Sequence, residues 1–155
     1  RVEFMQQVDW TGIDLGLAGN WRHVPDDLAR HVVHDLEDCM PGERTPDLYR
    51  GALTSFNLYR TEAQRDDLSE GWAMGPREAE LAATGCWFAR QSRPEGDDLF
   101  PMLPIFDTPD ELGDQIRWAL NNPDKRQQAA DDARAAVADR TFDVNAKRLL
   151  SLLGV

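Results

Sequence analysis

Arg77 and Glu80 stand three residues apart in the stretch Gly75-Pro76-Arg77-Glu78-Ala79-Glu80-Leu81-Ala82-Ala83-Thr84-Gly85. On a helix that spacing puts both side chains on one side, a turn apart. Proline fits the first position of such a helix, and glycine fits its left-handed end. The unpaired N–H groups and the positive end of the dipole then gather at Gly75-Pro76, where an anion is favoured. Arg77 adds a full positive charge at that mouth. Glu80 offers a carboxylate that can accept two hydrogen bonds from vicinal hydroxyls, such as a ribose 2′ and 3′ pair. This chemistry suits a nucleotide whose phosphates lie at the helix start. Glu78 is read as a first-turn charge that favours the dipole and does nothing more.

Further arginines follow the ends of expected strands. Ile13–Ala18 leads through Gly19-Asn20-Trp21 to Arg22, Leu53–Leu58 leads through Tyr59 to Arg60, and Cys86–Ala89 leads to Arg90, Ser92 and Arg93. Ligands of open α/β sheets bind beyond the carboxyl ends of the strands. The basic groups therefore gather at one rim and suit a diphosphate. The plain alternative is that they pair with Asp66, Asp67, Glu70 and Glu95 on a solvated surface. His31 and His34 lie three apart on an expected helix near Glu37, but no further ligand has metal-site spacing, so no metal is expected. His23 is either solvent-exposed or a phosphate contact. Cys86, Trp87 and Phe88 read as core. Trp72 reads as a packing residue in a polar loop, with stacking on a base or sugar as the alternative.

The elements that must hold these residues alternate. Strand 13–18 ends in the Gly19-Asn20 turn, and Pro25-Asp26-Asp27 opens a helix carrying Leu28, Val32 and Leu36. Pro41-Gly42 breaks the chain, and Pro46 starts a short helix through Ala52. Strand 53–58 is followed by a polar loop over 61–74, helix 76–84, strand 86–89 and a loop over 90–96. Leu103-Pro104-Ile105-Phe106 is a last strand, placed near an edge by its proline. Thr108-Pro109-Asp110-Glu111 is a capping box that opens a helix with Leu112, Ile116, Ala119 and Leu120 on its apolar face. A second tail helix begins near Pro123, and a third runs from about Val144 to Leu153. Strands alternating with helices predict an α/β fold with a Rossmann-like parallel sheet flanked by helices, the C-terminal helices packing across one end.

The totals agree with one such domain over residues 1–155. Apolar residues make up 41% and charged residues 29%, which is globular. No run is long enough to cross a bilayer. Two distant cysteines, Cys39 and Cys86, give no disulfide framework, so a reducing cytoplasmic setting is the default. A net charge of −11 argues against nucleic acid as a bulk partner. Of the 17 basic residues only Lys125 and Lys147 are lysine. That bias suits bidentate phosphate contacts, or reflects codon usage alone. The chain opens at Arg1 without a methionine, and the expectation is a piece of a longer protein.

Arg77-x-x-Glu80-x-x-x-x-Gly85, with small residues before the glycine and an apolar strand after it, resembles the C-terminal domain of family-1-type glycosyltransferases. The pattern R-x-F-E-x-x-A-x-G of the spore-maturation (CgeB-like) branch is similar, with Ala79 in place of its phenylalanine. Phe106–Leu112, Asn122–Arg126 and Arg140-Thr141-Phe142 resemble that branch's tail, so the resemblance covers roughly residues 47 to 153. It implies one half of a GT-B fold, in which this half binds a nucleoside-diphosphate sugar, such as a UDP- or GDP-sugar, as substrate. No metal and no other cofactor are implied. The N-terminal GT-B domain, which receives the acceptor (a glycan, a protein or a small molecule), is absent from this chain, so the isolated half is expected to be inactive. Arg77 and Glu80 are implied as the residues of the chemistry. Gly19, Asn20, Arg60, Gly75, Pro76, Ser92 and Arg93 are implied in donor binding. Many retaining relatives carry a second glutamate eight positions before the first, where Trp72 stands here, so the stereochemistry is open. The rival readings are a non-catalytic nucleotide- or sugar-binding module that docks or regulates a partner, and a flavodoxin-like or receiver domain. The latter wants aspartates at the first strand end, where Gly19-Asn20-Trp21 stands.

Overall fold

The computed structural model of the chain describes residues 1–34, 38–59 and 71–154. Ten elements follow one another: α1 (Val2–Gln7), α2 (Asp26–Ala29), α3 (Thr45–Gly51), β1 (Thr54–Asn57), α4 (Pro76–Thr84), β2 (Trp87–Arg90), α5 (Pro94–Leu99), α6 (Pro109–Asn121), α7 (Pro123–Ala136) and α8 (Phe142–Leu153). The fold is α/β and Rossmann-like, a small parallel sheet between helices. β1 and β2 pair in parallel, with Thr54 opposite Trp87 and Asn57 opposite Arg90. All four residues of β2 are buried, as a parallel strand covered on both faces requires. Phe88 packs edge-on against Phe100, at 5.5 Å between ring centres.

The strand expected at 103–106 is reduced to a single parallel bridge, Ile105 beside Arg90. Pro104 has no N–H to extend the ladder, so only the Arg90 and Phe106 N–H groups donate across it. The strand expected at 13–18 is likewise one bridge, from Leu17 to Val32. Leu17 N–H donates to the His31 carbonyl and Val33 N–H donates to the Leu17 carbonyl, at 2.8 and 2.9 Å. That pairing takes Val32 and Val33 out of the expected helix, which stops at Ala29. Adjacent β-branched residues favour the extended state over another helical turn. Leu36 lies outside the described residues.

α4 begins and ends as its residues dictate. Pro76 occupies the first turn, and Gly85 turns left-handed at φ 75°. Gly85 and Cys86 N–H groups return to the Ala82 and Leu81 carbonyls, closing a Schellman end. α7 lays Ala130 and Ala133 against α4 and β2. The capping box of α6 is complete: Glu111 N–H donates to Thr108 Oγ1, and Glu111 Oε2 accepts from Thr108 and Asp107 N–H. Those backbone donors hold the Glu111 carboxyl below its usual range.

Two helices have no counterpart in the expected elements. α1 packs on α6 and buries Met5. α5 begins inside the stretch 90–96 read as a loop and runs on to Leu99. α8 is capped by Thr141, buries no residue, and exposes Leu149, Leu150, Leu152 and Leu153.

Candidate functional site

The mouth of α4 opens where β1 and β2 end. Gly75 is the N-cap, extended at φ −79° and ψ 150°. Its N–H donates to the Tyr59 hydroxyl at 3.3 Å. Tyr59 lies two residues past β1, and its own N–H donates to Gln91 Oε1, just past β2, at 2.8 Å. The two strand tips and the helix start are thus tied together through one tyrosine, its backbone N–H on Gln91 and its hydroxyl on Gly75.

Glu78 departs from expectation. The residue read as a simple dipole partner is fully buried. Its Oε1 accepts from Asn57 Nδ2 at 2.8 Å and from the Tyr59 hydroxyl at 2.5 Å. A carboxylate needs such donors to leave water. Its Oε2 points to Gly96, where an added Cβ would lie 3.2 Å from that oxygen and 3.3 Å from a terminal nitrogen of Arg90. Glycine there lets the first turn of α5 close over a buried acid and a buried base. Burial, and then the bond to Glu78, push the Tyr59 hydroxyl well above the usual phenol range, so it stays a donor.

Arg90, expected at the open rim, is also buried. As the last residue of β2 it is covered on both faces and pairs with Asp97 of α5. Asp97 accepts from Ser92 Oγ as well, at 2.6 Å. Burial opposes the Asp97 charge, but the Ser92 and Arg90 hydrogen bonds outweigh it and hold the carboxyl below its usual value.

Arg93 does stand at the mouth. Its guanidinium lies over the Tyr59 ring, 4.6 Å from the centre, and it donates to the Gly71 carbonyl at 3.2 Å. The segment 71–74 is held against α5 by Glu95, whose N–H donates to the Trp72 carbonyl while its carboxylate accepts from Met74 N–H. Glu95 pairs with Arg140 at 2.7 Å, and that hydrogen bond leads in holding its carboxyl low. Trp72 itself is 61% exposed, so the packing role expected for its indole is not what it has.

Arg77 and Glu80 are exposed and share one side of α4, facing α3. Tyr49 of α3 feels both: burial raises its hydroxyl's pKa, the Arg77 charge and hydrogen bond act against the rise, and the Glu80 charge adds to it. Gly75, Pro76 and Arg93 are brought together at Tyr59, Ser92 turns to Asp97 instead, and Arg77 and Glu80 lie on the adjoining face of α4. Gly19 and Asn20 form a separate turn, where Gly19 N–H donates to His34 Nε2 and Asn20 Oδ1 accepts from Arg22 N–H. Arg60 lies outside the described residues, as do Asp66, Asp67 and Glu70. His31 and His34 share no helix face, because α2 ends before them. Among the described residues no three His, Cys, Asp or Glu side chains converge. Burial pushes the Cys86 thiol up to about 11, as fits a core cysteine.

Tyr59, Glu78 and Gly96 were missed from sequence. One signal was available: Asn57, a polar residue at the end of an otherwise apolar strand, asks for a buried partner.

The family model described as glycosyl transferase-like matches residues 1–151. The chain belongs to this glycosyl transferase-like family. Comparison with curated proteins and with solved structures gives no match. Among the described residues no helix is long and apolar enough to cross a membrane.

Proposed function

We propose that this chain is the donor-binding domain of a GT-B glycosyltransferase, of the spore-maturation (CgeB-like) branch, that holds a nucleoside-diphosphate sugar. The observation that carries the reading is the exposed pair Arg77 and Glu80, one turn apart beside a helix mouth that opens at parallel strand ends. Family membership supplies the class of chemistry.

On this reading the α4 mouth and Arg77 take the diphosphate, and Glu80 accepts the ribose hydroxyls. Ser92 and Arg93 flank the phosphates. As the glycosidic bond breaks, the leaving diphosphate gains negative charge. Fixed N–H dipoles and guanidinium groups stabilise that charge without reorganising, and no metal is needed. The acceptor and any general base belong to an N-terminal GT-B domain. Calorimetric titration of the chain with UDP and GDP tests the reading. Arg77→Ala and Glu80→Ala are each expected to weaken binding about tenfold, the scale of one charge-assisted contact. Wild-type affinity in both variants would overturn the assignment.

A further inference from the structure

Nothing in the donor-binding reading uses Glu78, yet Glu78 is the most deeply buried acid at the site. An apolar side chain of similar size would avoid the desolvation that a buried carboxylate suffers. Its neighbours show what the carboxylate holds. Tyr59 donates its hydroxyl proton to Glu78 and accepts the Gly75 N–H at the same oxygen, so the hydroxyl end of the ring is held by two bonds. Asn57 makes the second bond to the same oxygen and stops the carboxylate from turning away. The ring face that results is the surface on which the Arg93 guanidinium rests. A guanidinium held over a ring face is confined by that face, and a confined guanidinium suits a contact to phosphate oxygens.

We infer that Glu78 is a positioning residue that acts through Tyr59 to set the Arg93 guanidinium for the donor's diphosphate at the α4 mouth. The inference rests on the donor-binding reading above. Glu78 touches no substrate on this account. It fixes the phenol, and the phenol fixes the cation. Tyr59 also accepts the Gly75 N–H, so the same residue holds the N-cap of the helix and the arginine beside it.

The test is calorimetry on the 155-residue chain with UDP and GDP, each set against its nucleoside, uridine or guanosine. Arg93→Ala is expected to weaken diphosphate binding about tenfold and nucleoside binding little. Tyr59→Phe keeps the ring but releases it from Glu78, and is expected to weaken diphosphate binding about threefold to fivefold, again sparing the nucleoside. Adding Tyr59→Phe to Arg93→Ala is expected to cause no further loss, because coupled residues are not additive. Glu78→Gln, which keeps an acceptor for the phenol, is expected to lose less than Glu78→Leu. Melting temperatures are read alongside, and the mild Tyr59→Phe change decides if Glu78→Leu fails to fold. If Tyr59→Phe binds diphosphate as wild type does, or loses diphosphate and nucleoside equally, the positioning role is overturned and the donor reading stands. If the wild-type chain binds neither diphosphate, the donor reading falls and this role falls with it.

Discussion

Glu78 and Glu80 differ by two positions and by everything else. Glu78 lies in the first turn of α4 and Glu80 beyond it, and a helix turns about 200° over two residues, so one enters the sheet tips while the other faces α3. The burial of Glu78 could not be read locally, because its donors, Asn57 and Tyr59, come from 21 and 19 residues earlier. Arg90 was misread for a related reason. A strand-end arginine is ordinarily exposed, and the helix at 94–99 closes over this one. That helix approaches through Gly96, so Gly96→Ala is expected to destabilise the fold by about 1–3 kcal/mol, visible as a lowered melting temperature. Asp97→Ala leaves Arg90 buried without its counter-charge, and a loss on the order of 3 kcal/mol is expected by chemical denaturation. The Asp97 and Glu95 carboxyls are held below their ordinary values, so each contributes stability above its unfolded pKa that is lost as pH falls through the folded one. Thermal melts are therefore expected to fall as pH drops below about 4, and to fall less steeply in Asp97→Asn and Glu95→Gln.

At the scale of elements, legibility followed the strength of the end signals. α6 carries a capping box and a proline in its first turn, and α4 carries a proline start and a glycine stop, so both were bounded from sequence. α1 has no capping side chain, and α5, although it opens on Pro94, is only six residues long with a glycine inside it, so neither stands out. The outer strands were legible as apolar runs but pair through one bridge each, which no periodicity foretells. A cavity of about 570 Å³ bounded by α4, α5, α7 and α8 is lined by Ala79, at the position where the resembling pattern carries phenylalanine. Ala79→Phe is expected to fill part of it and to stabilise the fold by about 1 kcal/mol, read as a raised melting temperature. Over-packing would instead lower it.

The whole molecule carries a net charge of −11, and the proposed ligand is an anion. Local arginines and a helix mouth must outweigh that field. Attraction at a partly exposed cluster is screened by salt. Diphosphate affinity is therefore expected to fall severalfold between about 0.05 M and about 0.5 M salt, while nucleoside affinity barely changes. An increase with salt would mean that the overall repulsion dominates. The α/β architecture was legible from alternation alone, and the family from the spacing around Arg77, Glu80 and Gly85. The polar network beneath the mouth was not, because it joins residues from β1, α4, β2 and α5 that only the fold brings together.

The central claim is that a nucleoside diphosphate seats at the start of α4. Mapping amide chemical shifts of the chain while UDP or GDP is added tests it residue by residue. The account predicts saturable shifts concentrated at Gly75, Arg77 to Glu80, Ser92 and Arg93, with α6 and α8 silent. Shifts confined to the far helices, or none at concentrations where the ligand is in large excess, would contradict it.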